Sequence, residues 1–354
     1  MHRVHTHNLC PGMEVARSIY DADNNILLAA GVTLTPKLIT RIASLGIGSV
    51  YIQDEALIIE VPDIILAETR QVAIQTLQYN YTRLKQGYKL EIGPIIEKVK
   101  DIISQCLSNR GVLINLTDIR TYDEQTFSHS TNVCVMAVLA GISMGLAQED
   151  LHNLGIGALL HDVGKVTIEA DLLNKPSRLS IEEYATVREH AQTGFNILSN
   201  QEDVPAICAC IAYQHHERWN GSGYPRGLVG EEINPLARIV AVADIYEALL
   251  GDRPYRPSYT VQEAVKTLNQ LSGIHLEKRS IRSLLEHITI YPVGTVVILN
   301  TGARGVVIKI NANCPTRPVV QVVFDALGRR VTTTYVIDLF ETPDVSIVKT
   351  AYET

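Results

Sequence analysis

From about residue 110 to residue 288 apolar residues recur at helical spacing, which predicts a run of helices burying one face or more. After Tyr291-Pro292-Val293-Gly294 the pattern changes. Val296-Val297-Ile298, Val306-Val307-Ile308 and Val319-Val320-Gln321-Val322-Val323 are short β-branched runs, parted by Gly302, Gly305 and residues 311–315. They predict a small β-domain over 289–354, with Ala326-Leu327-Gly328 as a further turn. Residues 1–60 read as a small α/β module: residues 21–25 form a turn between strands, and Thr35-Pro36 opens a helix as N-cap and first helical residue. Gly46 stops that helix before a strand through Val50-Tyr51-Ile52. Residues 61–110 carry two helical stretches, with Ile65, Thr69, Val72 and Leu77 at near-helical spacing and breaks at Gly87 and Gly93-Pro94. This segment reads either as a connector that relays a signal or as a hairpin packed on the helical domain of 111–288. The chain is therefore expected to be multidomain and mainly α.

Composition changes this picture little. With 46% hydrophobic and 19% charged residues, 354 residues suffice for two or three domains and a sizeable core. The net charge of -7 argues against nucleic acid as a general partner, so an anionic substrate needs locally placed cations. The six cysteines form no CxxC pair and read mostly as small buried hydrophobes in a reducing compartment. No signal peptide and no apolar stretch of membrane-crossing length is evident, so a cytoplasmic protein without a membrane partner is expected.

The chemistry lies in the helical region. His161-Asp162 ends an apolar stretch, Leu159-Leu160, and is followed by Val163-Gly164-Lys165. Neighbouring helical residues point about a quarter-turn apart, so both reach one cation only from a helix aimed at it, and the second carboxylate oxygen is free to bridge another. Lys165, four residues after His161, falls on the same helical face, where a cation suits a phosphate oxygen or a leaving group. His129, His190, the adjacent His215-His216, and Asp244 inside the apolar run from Ile239 to Leu250 complete a set of imidazoles and carboxylates that suits divalent transition metals. An unpaired Asp in such a run would be costly to bury, which ligation would explain. A Gly-rich loop, Gly221-Ser222-Gly223-Tyr224-Pro225, follows the histidine pair. His2, His5 and His7 read as a solvated or disordered end, and His152, His275 and His287 as surface or capping residues.

His161-Asp162 with Gly164-Lys165 resembles the HD superfamily of metal-dependent phosphohydrolases. The stretch from His215 through Tyr224-Pro225, with 243–248 and 252–256, is similar to its HD-GYP subgroup over roughly residues 118–275. The resemblance implies an all-α HD-type catalytic domain, flanked by the N-terminal α/β module and the C-terminal β-domain. It implies hydrolysis of bacterial cyclic di-GMP to pGpG, and onward to GMP, at a binuclear metal site with a bridging hydroxide. By position, His129, His161, Asp162 and Asp244 would hold one ion, and Asp162, His190, His215 and His216 the other, with iron or manganese as the metal. Lys165 would touch a phosphate oxygen or assist the leaving group, and Asp123 would sit near the bridging solvent. Arg253 and Arg256 would grip phosphates, and Gly223, Tyr224 and Pro225 would border the pocket. Some members carry Glu four residues before His129 for a third metal; Gln125 stands there in this chain, which favours two.

Two other readings stay open: a non-catalytic protein that senses cyclic di-GMP or binds a partner, and an HD phosphohydrolase for another nucleotide or a hybrid cyclic dinucleotide. A homodimer or signalling partner proteins are compatible with the flanking domains.

Overall fold

The computed structural model describes residues 1–20, 26–45, 47, 49–53, 63–109, 125–173, 175, 177–251, 259–311 and 314–350, which fall into two compact units. The expected turn at 21–25 and helix stop at Gly46 lie outside the described residues.

The first unit joins both ends of the chain. Its N-terminal part contains β1 (His2–His5), β2 (Glu14–Val15), β3 (Ile19–Tyr20), β4 (Ile26–Leu28), α1 (Pro36–Ser44) and β5 (Ser49–Gln53). β5 is central, antiparallel to β1 and β2, with His2 opposite Ile52 and Glu14 opposite Gln53. The N-terminal histidines thus do not form a loose end: residues 2–5 satisfy their backbone in a sheet. Thr35 caps α1, its Oγ1 accepting from the Leu38 amide at 3.3 Å, and Pro36 is the first helical residue. Val15, Leu34, Ile42 and Ile52 fill a small core beneath.

The C-terminal part is a five-stranded antiparallel sheet in the order β10-β6-β7-β8-β9, built from β6 (Val296–Leu299), β7 (Arg304–Lys309), β8 (Val319–Phe324), β9 (Arg330–Asp338) and β10 (Ile347–Thr350). The three β-branched runs are its inner strands. β9 and β10 lie at the edges and are largely exposed, so they lack the continuous apolar run that marks the others. Tyr51 of β5 shares a small apolar cluster with Val306 and Val323.

The second unit is helical: α2 (Ala67–Lys85), α3 (Ile92–Ser108), α4 (Gln125–Ser143), α5 (Gln148–Leu160), α6 (Ala170–Leu173), α7 (Ile181–Arg188), α8 (His190–Ser199), α9 (Ala206–Gln214), α10 (Pro235–Leu250), α11 (Val261–Leu271) and α12 (Lys278–Leu285). α4 and α10 are buried over most of their circumference; every residue from Val133 to Ala140 and from Ile239 to Asp244 is buried, as expected of helices apolar all round. α2 and α3 do not stand apart from this unit. Leu77, Ile95, Val99 and Ile102 belong to one continuous core with Met136, Leu139, Leu159 and Val240. Gly93-Pro94 does not separate helices but lies in the first turn of α3, where the missing proline N–H would have had no intrahelical acceptor. His287 is buried, not superficial, and its Nε2 is 2.8 Å from Ser143 Oγ at the end of α4. Among the described residues no helix is long and apolar enough to cross a membrane.

One close approach sets up the site. Asp162 leads into a tight 3-10 turn, Val163–Thr167, that lies on the backbone of α8. A Cβ at Gly164 would stand 2.0 Å from the His190 carbonyl oxygen and 2.6 Å from the Gly194 amide nitrogen. Both obstacles are backbone, so neither can swing aside. Gly164→Ala is expected to cost about 3 kcal/mol and to lower the melting temperature by roughly 6–12 °C. Gly93→Ala, with open space around its Cβ in α3, is expected to stabilise by about 0.5–1 kcal/mol. Thermal melts of the two variants beside the wild type check both.

Candidate metal centre

Three chain segments leave their helices at one place, and each sends a histidine there. His161 caps α5, His190 starts α8 just after α7 ends, and His215 caps α9. In each the ring Nδ1 donates to the carbonyl three residues upstream: His161 to Ala158 at 2.7 Å, His190 to Val187 at 2.6 Å, and His215 to Ala212 at 2.9 Å. Carbonyls in the last turn of a helix have no intrahelical N–H partner, so they are free to accept. A carbonyl cannot donate, so each Nδ1 must carry a proton, and in the neutral ring Nε2 is left as a bare lone pair. Burial lowers the pKa of both His190 and His215, which keeps these two rings neutral.

These ring nitrogens converge. Nε2 of His190 and Nε2 of His215 face each other at 3.4 Å, and Nε2 of His129, from α4, is 3.3 Å from Nε2 of His161. Asp162, almost wholly buried, stands between the pairs and turns one oxygen to each. Oδ1 lies 3.4 Å from His190 Nε2 and 3.8 Å from His215 Nε2, while Oδ2 lies 3.3 Å from His161 Nε2 and 3.8 Å from His129 Nε2. Burial works to raise the Asp162 pKa, but Lys165, His161 and His190 outweigh it and hold the carboxyl well below its usual range. Oδ1 is nonetheless buried with no hydrogen-bond partner.

Asp244, on the buried face of α10, brings Oδ1 to 3.3 Å from His129 Nε2 and Oδ2 to 3.8 Å from His216 Nδ1. Burial pushes the His216 pKa down to about 3, leaving a neutral donor. The donor atoms form two groups, each within 4.8 Å of one another: Asp162, His190, His215 and His216, and His129, His161 and Asp244. All seven histidines and aspartates singled out as ligands in the sequence are brought together here. Converging imidazole lone pairs and an unsatisfied buried carboxylate oxygen are what a divalent cation would relieve, and the mixed N/O set suits transition metals. The residues present fit metal ions.

The outer contacts were not legible from the motif. His129 Nδ1 is 2.6 Å from Glu247 Oε2, one turn beyond Asp244 on α10. Burial would lower the His129 pKa, but Glu247 and Asp244 together raise it to about 10. Asn132 donates to Glu247 Oε1 at 3.2 Å, and Arg70, on α2, donates to Asn132 Oδ1 at 2.8 Å. The i, i+3 spacing of Asp244 and Glu247 is the one sequence signal for this arrangement. A second missed residue is Glu217, nearly fully buried, whose carboxylate accepts from the Arg226 amide at 2.8 Å and the Leu228 amide at 3.0 Å. It pins the loop carrying Tyr224, whose ring packs 4.6 Å from His216, centroid to centroid. Gly223 lies so close to the Glu217 backbone that a Cβ would come within 2.5 Å of the Glu217 Cα. Pro225 follows on the same loop.

Lys165 differs from expectation. α5 ends at Leu160, so Lys165 does not continue a helical face from His161; within the tight turn its Nζ bonds Asp162 Oδ2 at 2.5 Å. Asp123, Arg253 and Arg256 lie outside the described residues, as does the side chain of Gln125, the first residue of α4.

Residues 114–279 match the HD domain family, and residues 296–354 match the KOW domain associated with HD domains. The chain is 33% identical over 255 residues to a cyclic di-GMP phosphodiesterase of Pseudomonas aeruginosa, covering 72% of this chain and 61% of that one. It is 30% identical over 207 residues to a 3'3'-cGAMP-specific phosphodiesterase of Vibrio cholerae, covering 58% of this chain and 40% of that one. The chain thus spans less than two thirds of either relative. Among solved structures, an HDG"Y"P protein from Bdellovibrio bacteriovorus shares the fold, with a TM-score of 0.54 at 17% identity, over 80% of this chain and 97% of that one.

Carboxylates that orient a ligating histidine are typically worth about 10–100-fold in metal affinity or activity. Glu247→Ala is expected to weaken metal binding by about that factor with little change in helix content, read by titration of the metal-free protein with manganese or iron(II). Unchanged affinity would show that Glu247 does not support His129.

Proposed function

Because residues 114–279 belong to the HD domain family, we propose that this chain is a metal-dependent phosphodiesterase that hydrolyses a bacterial cyclic dinucleotide, cyclic di-GMP foremost. The observation that carries the reading is the convergence of two pairs of histidine Nε2 atoms on the two oxygens of Asp162. Such an arrangement gathers nitrogen donors for two cations and offers one carboxylate oxygen to each. Two divalent ions, iron or manganese, would lower the pKa of water and neutralise charge on the phosphodiester. His129, His161 and Asp244 would hold one, His190, His215 and His216 the other, with Asp162 shared.

The reaction adds the oxygen of water to phosphorus and breaks the bond to a ribose 3′ oxygen, which takes a proton and leaves as the alcohol. Lys165, partly exposed beside the clusters and bonded to Asp162, is the cation we assign to a phosphate oxygen or to that leaving oxygen. Tyr224 and its neighbours Gly223 and Pro225 border the substrate. We assign Asp123, Arg253 and Arg256 to substrate contact on the sequence resemblance alone. No Ser or Cys nucleophile is needed for hydrolysis at such a centre. A cytoplasmic location is consistent with unpaired cysteines and a second-messenger substrate. The presence of every ligand position favours turnover over a sensor that only binds.

Anaerobic purification, metal analysis and chromatography after incubation with cyclic di-GMP test the reading. About two metals per chain with pGpG or GMP appearing supports it; bound metal with intact cyclic di-GMP refutes it for that substrate. Equal turnover of hybrid cyclic GMP-AMP, the substrate class named for the Vibrio relative, would remove strict cyclic di-GMP specificity. Lys165→Ala is expected to keep its metal and to lose about 10²–10³-fold in kcat. His216→Ala is expected to lose metal as well as activity.

A further inference from the structure

Asp162 Oδ1 is not alone in lacking a partner. The hydroxyl of Tyr81, on α2, is buried in the same unit with no hydrogen-bond partner, and the residue is only 5% exposed. Its ring belongs to the apolar stripe of α2 with Ala73 and Leu77 and packs edge-on against Phe127, centroids 4.9 Å apart. Phenylalanine would serve that packing equally well. An unsatisfied buried hydroxyl opposes folding, so its presence calls for a role. Its location supplies one. Phe127 lies on α4 two residues before His129, and α2 packs against the Val163–Thr167 turn that follows Asp162. Burial, and after it the Asp162 charge, raise the Tyr81 pKa well above its ordinary value, so the hydroxyl keeps its proton.

We propose that the Tyr81 hydroxyl donates a hydrogen bond to a non-bridging oxygen of the substrate phosphodiester, which makes it a catalytic residue supplied by α2, outside the segment matched to the HD domain family. This rests on the phosphodiesterase reading. α2 packs on the same Val163–Thr167 turn from which Lys165 reaches Asp162. A neutral donor adds no charge beside the cation sites and has no alternative acceptor to abandon when substrate arrives.

Tyr81→Phe separates the role from packing, because it removes one oxygen and keeps the ring. Expected are unchanged metal content, a melting temperature equal to or above that of the wild type, kcat/KM on cyclic di-GMP reduced about 10–100-fold, and weaker binding of a non-hydrolysable phosphorothioate analogue by calorimetry. Wild-type turnover with unchanged Tyr81→Phe kinetics and analogue affinity overturns the role and leaves the phosphodiesterase reading standing. A lower melting temperature with unchanged kinetics makes the hydroxyl structural and overturns it equally. If the wild type, fully metallated, turns over no cyclic dinucleotide, the phosphodiesterase reading falls and the role falls with it. Tyr81→Leu, which also removes the ring, is expected to lower the melting temperature and calibrates the packing contribution.

Discussion

The centre depends on one recurring hydrogen bond, from the Nδ1 of a histidine to the carbonyl three residues before it. His161, His190 and His215 all make it, at or just beyond a helix end. The bond does three things together. It satisfies a carbonyl the helix has left without a partner, it fixes the ring, and it settles which nitrogen is protonated. The ligand geometry is therefore a property of where α5, α7 and α9 stop. The same helix ends present their partial negative charge to the site, which favours cations there.

Around that arrangement the unit tolerates poor electrostatics. Two carboxylates, three histidines with almost no exposure and a lysine partner sit in a mostly apolar core. Asp162 and Asp244 stay ionised against burial because imidazoles and Lys165 surround them. His129 is pushed the other way, toward retaining its proton, by Glu247 and Asp244. A cation entering the His129, His161 and Asp244 group therefore has to displace a proton, whereas neutral His216 and His215 need give up none.

The ligands were legible because their residue types are improbable where they stand: histidines in apolar helices and Asp244 in the run from Ile239 to Leu250. Helix and strand types followed from period, and the caps at Thr35-Pro36 from turn chemistry. What escaped was set by tertiary meeting. Glu247 lies 118 residues from His129, and nothing local marks Glu217 as the anchor of its own loop. Lys165 was placed on a continuing helix because the sequence pattern does not show that α5 breaks at Leu160. That break needs Gly164, whose lack of a Cβ lets the turn lie against α8. β9 was missed for the opposite reason, since an exposed edge strand carries no apolar face to read.

The position of α2 and α3 in the common core has a consequence for how this protein can be divided. The stretch matched to the HD domain family starts at residue 114, after both helices. A fragment cut at that boundary would uncover the apolar surfaces now covered by Leu77, Ile95, Val99 and Ile102. It would also lose Arg70, and with it the far end of the hydrogen-bond chain through Asn132 to Glu247. Such a fragment would be prone to aggregate and short of support around His129, although every ligand was retained. A piece that begins before α2, at about residue 63, keeps this core whole, whereas boundaries drawn from catalytic motifs alone undercut it.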